Sequence, residues 1–444
     1  MRLNERRKIV LTQAFVGIIS GLLLLIVSCR QCITNPDGEE PRDTSIELEL
    51  GDVWTTSLTF RVSVVDTNTA WDFSLVRDDS TLMRHTVASR DTVVCDRGLQ
   101  PGREYRYRAY RLIDDVIADS SAVVPAVTMN TTSHNFIWTI DTLGTYGSYL
   151  NDVWIVDEND IWVVGNIETD SGEYNAAHWD GNEWGLMQIH SAAPLYSIFY
   201  FSDNDIWVSS GFPKHWDGND WTMYHLQNMG LDVSTEYMWG ISSSNIYFVG
   251  LKGSIVHYDG TTFTKMASGT DVDLLSVSGT PDGEYLFAAG YDYHSPAPSV
   301  ALEYSAGTWR TLYYHEGYWP DSDNFGATLA VAVYGDTAYF NMADGLWKYN
   351  YLTEESHYIE SNICYFNRSG FKTIHINGLN DMFFGGAGMI YVHYNGCTWF
   401  YDSQFYDSYS QVALLGSDYL EDIVVMVGYC CSFGHGLVVR GRRN

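Results

Sequence analysis

From residue 135 onward the chain repeats one short motif, and an internal repeat restricts the possible folds more than composition does. Asn159-Asp160-Ile161-Trp162-Val163-Val164-Gly165 recurs in altered form at 204–208, 244–250, 283–287, 336–340, 380–384 and 421–425, making seven copies. Equivalent positions 161, 206, 246, 286, 338, 382 and 423 lie 40 to 52 residues apart, which is room for four short strands each. A second element, His178-Trp179-Asp180-Gly181-Asn182-Glu183-Trp184, returns at 215–221, 257–263 and 393–399. Asp-Gly or Asn-Gly between aromatic strands signals a hairpin whose two central residues must accept positive φ. Four-stranded repeats at this period predict a seven-bladed β-propeller over 135–444, because closing the ring protects strand edges that an open array would expose.

The seventh repeat ends at Val438-Val439-Arg440-Gly441-Arg442-Arg443-Asn444 without an outer aromatic strand. Phe136-Ile137-Trp138-Thr139-Ile140, placed before the first repeat, resembles that outer strand and is expected to close the last blade. The repeats resemble those of bacterial secreted propellers with NDVWxVG and HYDGxxW units. That resemblance implies a fold and no single activity.

The first 28 residues read as a lipoprotein signal peptide: Arg2, Arg6, Arg7 and Lys8, an apolar run centred on Gly21-Leu22-Leu23-Leu24-Leu25, then Ile26-Val27-Ser28-Cys29. The last four residues resemble a bacterial lipobox. The resemblance implies cleavage before Cys29, lipidation of Cys29 and anchoring in a membrane of the bacterial cell envelope, since two or more buried acyl chains hold a protein stably. Arg30 rather than Asp follows the cysteine, so the outer membrane or cell surface is the expected location. Residues 29–43, with Pro36, Asp37, Gly38, Glu39, Glu40 and Pro41, cannot bury a core and form a tether.

Between tether and repeats, period-two runs such as Leu58-Thr59-Phe60-Arg61-Val62-Ser63-Val64 and Tyr105-Arg106-Tyr107-Arg108-Ala109-Tyr110 predict half-buried strands of a sandwich. Pro101-Gly102 turns the chain into the strand opened by Tyr105, whose hydroxyl is placed to bond back to the turn as a tyrosine corner. On these residues 44–128 resembles a fibronectin type III domain, with Trp54 before the second strand rather than within it. The overall fold class is therefore all-β: a fibronectin type III-like β-sandwich followed by the propeller.

Charge narrows the partners. The chain carries a net charge of -30. Residues from 131 onward hold 10 Lys and Arg against 37 Asp and Glu. Such a field repels phosphate backbones, so nucleic acid is not an expected partner. Besides Cys29, the cysteines are Cys32, Cys95, Cys364, Cys397, Cys430 and Cys431, whose spacing gives neither a disulfide pattern nor a CxxC zinc pair.

No HExxH, Gly-x-Ser-x-Gly, Walker or dinucleotide-binding motif occurs. The repeated His178, His215, His257 and His393 fall on different blades, which suits a structural role better than one metal centre. Asp321 and Asp323 have the chemistry to take Ca²⁺ as a cofactor or to serve a glycosidase. Long insertions at 167–174, 291–296, 315–321, 401–409 and 429–435 share the face opposite the Asp-Gly turns, and loops on a rigid scaffold carry function. They place Tyr293, His294, Tyr318, Trp319, Asp321, Asp323 and Tyr406 as candidate ligand-binding residues. Aromatic rings and carboxylates suit a protein or glycan ligand. The expected function is a membrane-anchored, non-enzymatic binding or scaffold lipoprotein; the alternative is a glycan-active hydrolase or lyase using acids on the same face.

Overall fold

The computed structural model describes residues 45–65, 70–190, 193–292, 296–319, 325–343, 345–360, 371–386, 390–401, 412–430 and 434–444. The signal sequence, Cys29 and the whole of the tether lie outside them. The described residues are all-β, with short 3₁₀ turns at Leu226–Met229 and Leu251–Gly253 and no α-helix. No described helix is long and apolar enough to cross a membrane.

Two sheets form the N-terminal unit. Ile46–Val53, Ser57–Val64 and Asp91–Arg97 make one, and a five-stranded sheet centred on Trp71–Arg77 and Glu104–Ile113 makes the other. Alternation does the work here: Phe60, Phe73 and Tyr107 point inward and are fully buried, with the Phe60 and Tyr107 rings 4.2 Å apart. Asp96, buried among the described residues of this unit, is paired: it accepts from the Tyr107 hydroxyl at 2.7 Å and from Arg77 at 2.9 Å. Tyr105 Oη accepts the Gln100 N–H at 2.8 Å, as the Pro101-Gly102 turn predicts.

From residue 136 the described residues build seven four-stranded antiparallel sheets. Their first strands are Tyr149–Asp157, Ser197–Ser202, Tyr237–Ser242, Ser276–Gly279, Thr328–Tyr334, Phe371–Gly378 and Ala413–Leu420. Each first strand packs on the first strand of the next sheet, and the seventh packs on the first. The fourth strand of the seventh sheet is Phe136–Leu143, antiparallel to His435–Arg443 with Val439 opposite Ile140. Side chains fasten neighbouring sheets: Asp152 accepts the Ile198 N–H at 3.0 Å, Asp418 the Ile155 N–H at 2.8 Å, and Ser276 Oγ the Val331 N–H at 3.1 Å. The glycine that ends the repeated motif has a steric reason. At Gly165 and Gly250 a Cβ would lie 2.2 and 2.1 Å from the carbonyl oxygens of Tyr149 and Ser234.

The Asp-Gly turns differ from a two-residue hairpin. Trp179 pairs with Trp184 across four turn residues, and only the glycine is left-handed, with φ of 92° at Gly181. Asp180 instead accepts the N–H groups of Asn182 and Glu183 at 2.8 and 2.9 Å, and Asp217 and Asp259 repeat this pattern. The aspartate thus closes the turn through its side chain and never needs positive φ itself.

The two units are joined by more than the chain. The Lys348 ammonium sits 5.0 Å from the Trp54 ring and 5.3 Å from the Tyr339 ring, and Thr55 donates to the Gly396 carbonyl. Residues 129–134, whose composition predicts a cleavable linker, are pinned: Asn380 donates to the Asn130 carbonyl at 2.7 Å and Thr132 to the Asn380 carbonyl at 2.8 Å. Trp54, out of place for the first sheet's core, serves this contact.

Candidate functional site

The first strands of the seven sheets surround a cavity of about 1160 Å³. Its two ends differ because alternate residues of each strand, and successive positions along it, present different chemistry. Toward the strand starts lie Asp152, Tyr237, Asp273, Tyr291, Leu329 and Lys372. Burial pushes the Asp152 carboxyl up to about 7 despite its two backbone N–H donors, and the nearby Asp418 charge adds to the shift. Burial also raises the Glu236 carboxyl, with Asp273 contributing, and raises the Tyr149 and Tyr196 hydroxyls.

An aromatic path leads from this end to the surface. Tyr291 lines the cavity, Tyr318 meets it edge-on at 5.5 Å, and Trp319 meets Tyr318 edge-on at 4.9 Å. Of the candidate binding residues, the structure brings together these last two. Tyr318 is half-buried against a small apolar cluster of Tyr291, Ala327, Leu329 and Ala343, so it is less free than a bare loop residue, whereas Trp319 is 53% exposed. Tyr293, His294, Asp321, Asp323 and Tyr406 lie outside the described residues. Among the described residues no group of three or more His, Cys, Asp or Glu is arranged to hold a metal ion.

The repeated histidines are occupied in their own sheets. His178, His215 and His393 bond through Nε2 to Asp160, Asp205 and Asp381 at 2.8, 2.9 and 2.8 Å, and His257 bonds to Asn245 at 2.8 Å. Each links the third strand to the residue that opens the second. His393 has a further partner that no repeat announces: its Nδ1 lies 2.7 Å from Nδ1 of His134, which stacks on Phe400. Asp381 also accepts from Arg443 at 2.5 Å and Tyr419 at 2.8 Å, so the inter-unit segment and the C-terminal strand meet in one network.

The architecture has solved counterparts. YCF48 bound to D1 peptide superposes with a TM-score of 0.52 at 15% identity, over 71% of this chain and 97% of that one. YCF48 from Cyanidioschyzon merolae gives 0.51 at 14% identity, covering 69% and 98%, and the WD40 β-propeller domain of Doa1 gives 0.50 at 10%, covering 70% and 98%. The fold is a β-propeller. No family model matches the chain, and no curated protein does.

Inner-strand aromatics of the propeller escape a reading centred on loops. Trp154, Phe199, Phe201 and Trp239 line the other end of the cavity. A signal for three of them exists: Trp154, Phe199 and Trp239 face Trp162, Trp207 and Tyr247 across the first hairpin of successive repeats. Strand pairing must be known before that coincidence acquires a direction.

Proposed function

We propose that this chain is a lipid-anchored envelope protein that binds a segment of a partner protein and performs no chemistry on it. In this reading Cys29 carries the lipid, 44–128 is a fibronectin type III-like spacer, and the seven sheets are the blades of one ring. The observation that carries the binding role is the aromatic path Tyr291–Tyr318–Trp319, which opens from the axial cavity onto the loop side. The sandwich contacts Gly396 and Asn380, in turns on the opposite side, which leaves the loop side free for a partner. A solved propeller of similar fold holds a peptide, which supports a protein ligand over a sugar. An exposed indole next to a concave apolar wall is the kind of anchor that concentrates binding energy.

Photo-crosslinking from the exposed position 316, beside Trp319, in the full chain on the envelope, with the captured protein identified by mass spectrometry, tests the reading. A discrete partner whose capture falls about tenfold in Trp319→Ala, at unchanged thermal stability, is the expected result. Undiminished capture by Trp319→Ala, or release of sugar fragments from envelope glycans by the wild-type chain, overturns it. Metabolic labelling with an acyl chain, lost in Cys29→Ala, tests the anchor separately.

A further inference from the structure

The end of the cavity on the turn side, opposite the loop side, is built differently. Trp154 and Phe199 lie 4.6 Å apart and Phe199 and Phe201 4.9 Å apart, forming an aromatic crescent across the first two sheets. Trp239 extends it over the third, its ring packed on Gly279, where a Cβ would come within 2.8 Å. Ile241, 39% exposed, lies beside Gly283. The turn that follows Gly279 and carries Gly283 also carries Asp282, so a carboxylate stands next to the aromatic wall. Asp282 accepts from Thr280 Oγ1 at 2.5 Å and from the Glu284 N–H at 3.0 Å, bonds that hold it in the turn and add no positive charge. Across the cavity, Glu421 and Asp422 line the same end.

The cations do not balance these groups. Among the described residues lining the cavity only Lys372 and Arg443 are Lys or Arg, against seven carboxylates. Lys372 stands toward the strand starts, and Arg443 is committed to Asp381 at 2.5 Å and Asp422 at 3.2 Å. Wide aromatic faces beside uncompensated carboxylates suit one ligand chemistry better than others. A guanidinium stacks its plane on indole or phenyl rings while its N–H groups bond carboxylates, and its methylene stem covers apolar wall. A free anion is repelled here, and no described cluster of three carboxylates suits a divalent cation.

We propose that the turn-side end of the cavity is a second binding site that receives an arginine side chain from a basic polypeptide segment, with Trp239 and Phe201 as the stacking wall and Asp282 and Glu421 as the charge partners. The site is independent of the loop-side anchor at Trp319. A segment seated here approaches from the side on which the sandwich packs, so the two faces serve two different contacts.

Titration calorimetry of the full chain with the capped peptide Gly-Ser-Arg-Gly-Arg-Ser-Gly, against the same peptide with citrulline in place of arginine, tests the site. Citrulline keeps the shape and removes the charge. At low ionic strength the arginine peptide is expected to bind about tenfold or more tightly than the citrulline peptide. Asp282→Asn and Glu421→Gln should each weaken it by roughly three- to tenfold, while Asp170→Asn on the loop side leaves it unchanged. Trp239→Leu should abolish the preference for arginine; because that variant risks the fold, the surface substitution Asp282→Asn decides. Equal affinity for the two peptides, or an equal loss from Asp170→Asn, shows attraction to overall negative charge and overturns the proposal. Loss of arginine binding with partner capture at Trp319 intact removes this site alone, and the reverse removes only the loop-side reading.

Discussion

Trp207 and Trp162 hold the same place in consecutive repeats, yet their surroundings differ. Trp207 is fully buried, stacked on His215 at 4.3 Å and donating to Asp205 at 3.1 Å, whereas Trp162 is half-buried beside His178. Trp207→Ala should therefore cost roughly 3–5 kcal/mol in chemical denaturation and Trp162→Ala distinctly less. His215→Ala leaves Asp205 with the Trp207 indole as its remaining side-chain donor and should cost about 1–3 kcal/mol without affecting capture at Trp319. His134 gives a pH signature. Burial, aided by the neighbouring His393 and Arg443 and opposed by Asp381, depresses its imidazole from 6.5 to about 4. The folded state thus disfavours the proton that the unfolded chain accepts. Stability is complete above pH 6.5 and falls toward pH 4, by roughly 1–2 kcal/mol given partial solvent screening. Thermal melts across that range should show the loss in wild type and a shallower slope in His134→Gln; equal slopes would place the acid sensitivity elsewhere.

At the scale of the element, one strand closes the array. Phe136–Leu143 supplies the fourth strand of the seventh sheet, and its Phe136, Trp138 and Ile140 pack on the core that holds Phe383, Tyr391 and Val439. Trp138 also covers Gly441, where a Cβ would approach its ring to 2.3 Å. Deleting 136–140 should expose an edge and remove these contacts together, so protease cleavage is expected to spread through the repeats rather than stop at the seventh. Cleavage confined to 412–444 would refute that coupling. The pinned segment 129–134 should resist the same protease, since Asn380 donates to the Asn130 carbonyl and its own carbonyl accepts from the Thr132 side chain.

For the whole molecule, the contact between sandwich and propeller sets which face is presented. Lys348 is half-buried and its ammonium is depressed to about 8 by desolvation, with the Trp54 and Tyr339 rings beside it. Trp54→Ala should remove about 1–2 kcal/mol of this docking and widen the spread of inter-unit distances in small-angle scattering. An unchanged scattering profile would show that Asn130, Thr132 and Thr55 suffice to hold the units together.

The repeat spacing and the period-two alternation carried the all-β architecture, the Tyr105 corner and the local role of the histidines, because each depends on residues near one another in the chain. The strand Phe136–Leu143 pairs with His435–Arg443 at the far end of the chain, yet it was legible from the repeat itself, as the aromatic piece missing from its last copy. Three features needed the tertiary structure. Trp54 looks like a misplaced core residue until Lys348, almost three hundred positions later, is brought against it. His134 has no motif, and its meeting with His393 follows from where the inter-unit segment crosses the sixth sheet. The aromatic crescent of Trp154, Phe199, Phe201 and Trp239 belongs to strands that the sequence marks as scaffold. Only the packing of successive first strands against one another turns their inner edges into the wall of a cavity.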